Sequence, residues 1–167
     1  VILVTKPFQW GDLVETADGL GTVKEISLTF TKLETPDGLW LMTPNSVLSS
    51  GKITNYTALG RRRAEIRVGA SYDAAVSDVR AACLDAAARV PGVLPDPAPI
   101  VYVDSYGESS ISYIVRVWCR SEDYTDVYYG LTEGLKAAFD EHGVEMPYNH
   151  LNIHILDQTE QKEKQTV

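Results

Sequence analysis

The first third of the chain alternates apolar and polar residues in short segments that turn residues separate. Residues 8–14, 26–31 and 39–43 are rich in β-branched and aromatic side chains, which favour strands. Turn-forming residues lie between them, in a glycine-rich bend near Gly19 and at residues 36–38, where a positive φ or a preset bend is available. The pattern predicts a small, strongly bent β-meander. Because a sheet of this size cannot bury a core alone, we expect it to pack against copies from neighbouring chains.

A different order of elements follows this meander. Apolar residues at three- and four-residue spacing predict two helices, the first from an Asp73 N-cap to Pro91, the second from residues 121–123 to Gly143. Strands are predicted at residues 64–68, 100–103, 111–119 and 151–156. The order strand, helix, strand, strand, helix, strand is that of a split βαβ, ferredoxin-like fold.

Both predicted helices carry one apolar face that we expect to lie against a sheet. The face of the first is mostly alanine, which indicates a close approach. The predicted inward positions are Val76, Val79, Ala82, Cys83, Ala86, Ala87 and Val90 in the first helix, and Val127, Tyr128, Leu131, Leu135, Ala138 and Phe139 in the second.

Composition narrows the classes of partner. The 167 residues carry a net charge of -8, which argues against nucleic acid or an anionic membrane surface as the main partner. Cys83 and Cys119 are far apart and lack metal-ligand spacing, so we interpret them as small buried apolar residues in a reducing compartment.

The chain shows no motif for catalysis or cofactor binding. It has no GxSxG, P-loop, HExxH or CxxC sequence. The acidic pairs at residues 122–123 and 140–141 lie at predicted helix ends, where the helix dipole and solvation explain them. We therefore predict a protein that is not an enzyme and that needs no cofactor.

Separated motifs along nearly the whole chain resemble one family, the small-conductance mechanosensitive channels, or MscS family. Their order makes the resemblance far more specific than any single motif. In this sequence they read Pro7-Phe8, Gly11-Asp12, Gly21-Thr22-Val23, Asp37-Gly38, Pro44-Asn45, Ile53-Thr54-Asn55-Tyr56, Arg62-Arg63, Gly69-Ala70-Ser71-Tyr72-Asp73, Ser110-Ile111-Ser112-Tyr113 and Gly143-Val144-Glu145-Met146-Pro147-Tyr148.

The resemblance implies an α+β fold in which a small bent Sm-like β-domain precedes a ferredoxin-like α/β domain. A C-terminal strand would leave its own domain and join strands of sister chains in a β-barrel. The implied segments are the end of a pore-lining helix at 1–8, a middle β-domain at 9–60, the α/β domain at 61–149 and the barrel strand at 150–157. Composition predicts a disordered tail at 158–167.

The resemblance also implies a function. The chain would be the vestibule of a tension-gated channel in the bacterial inner membrane, on the cytoplasmic side, opening on hypo-osmotic shock to release ions and small osmolytes. It would form a homo-oligomer, expected to be a heptamer, and the membrane spans would lie upstream of Val1. No nucleic acid is expected as a partner.

Candidate residues follow from this picture. Leu3, Val4, Pro7 and Phe8 would couple the pore helix to the β-domain. Gly11, Gly19, Gly21, Pro44 and Asn45 would form the β-domain turns. The candidates for the rim of a side portal are Arg61, Arg62, Arg63 and Glu65. Two other interpretations of the arginine run are a solvated hinge between domains and an intersubunit ion pair with Glu65.

Two histidines of the last predicted strand allow a sharper hypothesis. His150 and His154 would share one face of it. We interpret them as polar surface residues and predict no metal site. Repeated around a barrel, they would instead give imidazole rings that titrate near neutral pH or bind a transition metal.

Two other classes of function remain open. One is a soluble RNA-binding or assembly protein. The acidic net charge and the expected lack of a basic aromatic surface argue against this class. The other is a regulatory module of a membrane transporter whose second domain binds a metabolite.

Overall fold

The structure, a computed structural model, describes residues 7–154. Its strands form two separate antiparallel sheets. The five-stranded sheet has the order β4-β3-β2-β1-β5 and the three-stranded sheet has the order β6-β8-β7. The strands are β1 Leu13–Thr16, β2 Gly19–Ile26, β3 Phe30–Glu34, β4 Trp40–Pro44, β5 Thr54–Asn55, β6 Arg61–Ala70, β7 Ile100–Tyr106 and β8 Ile111–Arg120.

Within residues 7–154, three α-helices and one 3-10 turn complete the fold. The helices are α1 Asn45–Ser50, α2 Val76–Arg89 and α3 Tyr124–His142, and the 3-10 turn is Ser121–Asp123. Helices α2 and α3 pack on each other and on one face of the three-stranded sheet, since α3 contacts β6 and α2 contacts β7. No helix within residues 7–154 has both the length and the apolar character needed to cross a membrane.

Each sheet has its own hydrophobic core. The core of the five-stranded sheet is small and consists of Phe8, Val14, Val23, Leu33 and Leu48. The larger core under the three-stranded sheet is built from α2, α3 and the inward residues of the strands, with Tyr113 and Phe139 among its largest side chains. The mixed architecture is that of the predicted α+β fold.

Several predicted boundaries in the first sheet are wrong. The segment 26–31 is not one strand, because Ser27 turns the chain: its backbone N–H donates to Phe30 O at 2.9 Å, and its side chain bonds the same residue. The first strand starts only at Leu13. Gly21 lies within β2 rather than in a bend, and a Cβ there would come within 2.8 Å of Leu33 Cβ. Only glycine allows β2 and β3 to approach so closely.

Boundaries in the second half differ from prediction at several places. Helix α2 begins at Val76 rather than after an Asp73 N-cap, because Ser71 Oγ accepts the Asp73 N–H and holds those residues in a turn. Val76 is therefore exposed instead of buried. Strand β6 begins at Arg61, three residues before the predicted start, and β7 extends to Tyr106. The predicted end of α3 is confirmed, since Gly143 adopts φ 66° as the left-handed cap.

The last predicted strand is not formed in residues 151–154, which carry no regular secondary structure. A strand exists through hydrogen bonds to a neighbour, and the predicted neighbours are sister chains. The three-stranded sheet consequently lacks a fourth strand among the described residues. The remainder of that strand, the predicted disordered tail and the coupling residues Leu3 and Val4 lie outside the described residues.

Both cysteines are fully buried in the larger core, as predicted. Burial raises the pKa of Cys83 to about 12 and also raises that of Cys119. Since only the thiolate reacts readily, we expect neither thiol of the folded chain to react with a disulfide reagent at mildly alkaline pH. Both should react at once in guanidinium chloride. A rapid reaction of either thiol in the native chain would contradict this packing.

Candidate functional site

Strand β6 divides the four predicted rim residues between its two faces. Side chains alternate along a strand, and Ala64, Ile66 and Ala70 are the buried positions of β6. Arg62 lies on this inward face, whereas Arg61, Arg63 and Glu65 lie on the outer face. The arginine run is thus part of a strand and not the solvated hinge that the charge pattern also allowed.

Arg62 lies between two tyrosine rings at the junction of the two sheets. Its guanidinium carbon is 3.5 Å from the ring centre of Tyr124 and 4.5 Å from that of Tyr56. Tyr56 follows β5 of the first sheet, whereas Tyr124 begins α3. A cation over two aromatic faces is attracted by both, so Arg62 connects the small β-sheet to the helical layer.

The Tyr56 hydroxyl extends this connection. It donates a hydrogen bond of 2.6 Å to the Glu15 carboxylate, and this bond to an anion raises the pKa of Tyr56. A second link joins the same segments, since the Ser121 N–H donates to Gly60 O at 3.1 Å. The connector at residues 56–60 is therefore held at both ends.

A buried carboxylate organises the first-sheet side of the junction. Asp12, which is only 8% exposed, accepts from the Gln9 N–H at 2.9 Å, from Asn55 Nδ2 at 2.8 Å and from Thr57 Oγ1 at 3.1 Å. Three donors compensate the desolvation of its charge. Sequence reasoning noticed the Gly11-Asp12 motif but not this role, because the two side-chain partners, Asn55 and Thr57, are more than 40 residues away in the chain.

The outer face of the three-stranded sheet is basic and aromatic. We call it the arginine face, and it consists of Arg61, Arg63, Glu65, Arg67, Tyr102, Asp104, Arg116 and Trp118. Arg61 lies 5.1 Å from the Trp118 ring centre and Arg116 lies 5.7 Å from that of Tyr102. The expectation that the chain lacks a basic aromatic surface is wrong, because net composition does not reveal how charges divide between faces.

Glu65 already has partners within its own chain. Its carboxylate lies 2.8 Å from Arg116 Nε, 3.2 Å from an Arg67 nitrogen and 3.8 Å from an Arg63 nitrogen. The hydrogen bond from Arg116 lowers the pKa of Glu65, and the charges of the three arginines act in the same direction. The intersubunit partner predicted for Glu65 is not needed to neutralise its charge.

Two of the β-domain turn candidates, Pro44 and Asn45, meet at the start of α1. Asn45 begins α1, where its Oδ1 accepts from Thr31 Oγ1 and its Nδ2 donates to Ser27 O, both at 2.8 Å. It thereby ties α1 to the turn between β2 and β3. Pro44 ends β4, directly before it. Gly11 and Gly19 take positive φ values, 88° and 138°.

The remaining candidates lie at the two ends of the described chain. Phe8 is 3% exposed and packs in the first core, whereas Pro7 is exposed. His150 and His154 are both exposed, and the His150 N–H donates to Ser109 Oγ at 2.9 Å. Within residues 7–154, no three histidine, cysteine or acidic side chains converge to hold a metal.

Two family models match the chain in succession. The β-domain of the mechanosensitive ion channels matches residues 1–58, and the C-terminal region of the MscS channels matches residues 64–146. The chain belongs to the MscS family. That family is one of ion channels and not a class of enzymes, and its bacterial channels lie in the inner membrane.

Individual MscS relatives agree with this assignment. The small-conductance mechanosensitive channel of Edwardsiella ictaluri is 30% identical over 155 residues, which cover 93% of this chain and 54% of that protein. An MscS family protein of Archaeoglobus fulgidus is 32% identical over 151 residues, or 88% of this chain and 52% of that one. The chain thus spans about half the length of these relatives.

A solved MscS structure shares the fold. The closed-state crystal structure of Helicobacter pylori MscS superposes with a TM-score of 0.86 at 27% identity, over 94% of this chain and 62% of that one. This chain and that channel therefore share the order of a β-domain followed by a mixed α/β domain.

Replacing Arg62 tests the junction. We expect Arg62→Gln to lower the free energy of unfolding by about 1–2 kcal/mol, because contacts with two aromatic rings are lost. Amide hydrogen exchange should rise at residues 56–60. Arg80→Gln, at an exposed position of α2, is the matched control and should change stability by less than about 0.5 kcal/mol. Equal effects of the two substitutions would refute the role of Arg62.

Replacing Glu65 tests the outer charge cluster. A folded-state pKa below the ordinary value of 4.5 contributes stability above that value, and this contribution is lost as the pH falls through the folded pKa. Glu65→Gln should therefore have a lower Tm than the original chain at neutral pH, with a gap that closes in acid. Glu133→Gln, at an exposed position of α3, is the control. A difference in Tm between Glu65→Gln and the original chain that does not depend on pH would contradict a stabilising role of the ion pairs.

Proposed function

We propose that this chain is the cytosolic vestibule of a mechanosensitive channel in a bacterial inner membrane. The observation that carries the proposal is the match of the MscS β-domain and C-terminal models, in that order, to residues 1–58 and 64–146. In the complete protein, membrane tension would favour the open pore because the wider state occupies more membrane area. Ions and small osmolytes would then leave through the vestibule.

We propose further that the vestibule is a ring of identical chains, expected to be a heptamer. The first sheet exposes large apolar side chains on a single chain, among them Trp10 at 72%, Leu28 at 84% and Met42 at 60%. Exposed apolar surface of this kind marks an interface. Since its own core is small, the β-domain gains the burial it lacks from neighbouring copies.

The coupling and rim residues take specific positions in this proposal. Phe8, packed in the first core, would anchor the segment that includes Leu3, Val4 and Pro7 to the β-domain, so that pore movement acts on the ring. Arg61, Arg63 and Glu65 would face a portal from the outer side of β6, with Arg62 holding the strand from behind. The C-terminal residues from His150 onward would close the base of the ring as a barrel.

A chimera tests the function. The chain replaces the matching part of the Edwardsiella ictaluri channel, and the product is reconstituted in liposomes under patch-clamp recording. We expect tension-activated conductance and the native mass of a heptamer. A version that ends at Asn149 should assemble less stably, because it lacks the barrel strand.

The control is the relative channel without any replacement, recorded in the same liposomes. A chimera that forms a ring but stays silent at every tension short of membrane rupture would refute the vestibule proposal. A chimera with a mass other than seven subunits would refute the heptamer.

A further inference from the structure

The arginine face has a charge opposite to that of the chain as a whole. It carries four guanidinium groups, those of Arg61, Arg63, Arg67 and Arg116, against the carboxylates of Glu65 and Asp104. It is therefore net positive by two charges on a chain of net charge -8. Helices α2 and α3 lie on the other side of this sheet, so the face is open within the described chain.

The arginines are held in place by the two carboxylates. Glu65, with a side chain 25% exposed, lies within 3.8 Å of Arg63, Arg67 and Arg116, and Asp104 lies 3.3 Å from Arg67 Nε. Fixing these long side chains in advance lowers the entropy that a ligand must overcome. Each guanidinium has five N–H donors, more than the contacts to the carboxylates use.

The arginines remain accessible to a ligand. The side chains of Arg67 and Arg63 are 60% and 46% exposed. A shallow depression of about 360 Å³ lies beside Arg67, whose partner across the strands is Ile114. It is lined by Tyr102, Val103, Asp104, Ile114 and Arg116. Its volume is within the range of small-molecule sites.

We propose that the arginine face binds a phosphate-bearing anion through Arg63, Arg67 and Arg116. The planar guanidinium matches the oxygens of a phosphate group in two-point contacts. An anionic ligand must also overcome its repulsion by the carboxylates of Glu65 and Asp104. A multivalent phosphate gains enough attraction from the three arginines to do so, whereas a ligand with a single carboxylate gains less. The site shares Arg63 and Glu65 with the portal rim proposed above, but its contacts lie on one sheet face of a single chain, so anion binding can be measured without channel activity.

Calorimetric titration of the 167-residue chain with tripolyphosphate at constant ionic strength tests the site. We expect saturable binding, weakened about tenfold by Arg67→Gln, because a hydrogen bond to a charged group is lost. Arg80→Gln is the matched control: Arg80 is an exposed residue of α2, and its replacement changes the net charge equally. Affinity for the control variant should stay unchanged.

A second variant protects the test against a folding defect. Arg63→Gln removes only the longest of the contacts to Glu65 and should also weaken binding while leaving the Tm nearly unchanged. Absence of saturable binding, or an equal loss in the Arg63, Arg67 and Arg80 variants, would overturn the proposal. A doubling of the native mass that Arg67→Gln abolishes would also overturn it, since the face would then join two copies of the chain.

Titration with ATP separates two sources of the same phosphate chemistry. Equal affinity for ATP and tripolyphosphate would assign recognition to the phosphate chain alone. Tighter binding of ATP would assign it to a nucleotide whose base stacks on the exposed ring of Tyr102. Either result supports the site, provided that Arg67→Gln weakens binding of both ligands.

Discussion

The pairing of β6 with β8 is the constraint on which the rest of the structure depends. The two strands are antiparallel and pair residue for residue from Arg61↔Arg120 to Ala70↔Ile111. Because side chains alternate along both strands, this register decides at once which residues enter the core and which form the arginine face. A shift by one position would bury the arginines and expose Ala64 and Ile66. The same strand register therefore both forms the larger core and keeps the charged side chains out of it.

Much of the fold was predictable from local patterns. The apolar faces of both helices and the glycine at the end of α3 follow from helical periodicity and from the freedom of Gly143 to adopt a positive φ. Two of the errors arose where a short polar side chain competes for backbone hydrogen bonds. Ser27 breaks an apparently continuous strand, and Ser71 delays the start of α2. A periodicity count does not register such local bonds.

The functional residues were less accessible to sequence reasoning than the fold. The arginine run was noticed for its charge, but a run of like residues on a strand points to both faces in turn, so Arg62 and its neighbours have different surroundings. The role of Asp12 depends on Asn55 and Thr57, and that of Arg62 depends on Tyr124. These contacts form only when two distant segments meet, and no local pattern records them.

The position of the junction also has a mechanical consequence. The connector enters β6 at Arg61, and at the other end of that strand the Ser71 N–H donates to Glu145 O at 2.9 Å. A pull between the connector and the segment after α3 therefore acts along the axis of β6. The hydrogen bonds to β8 run across that axis, so they share such a load in shear and do not open one after another. Stress applied at the β-domain would thus be carried along β6 to the segment after α3, through the hydrogen bond between Ser71 and Glu145.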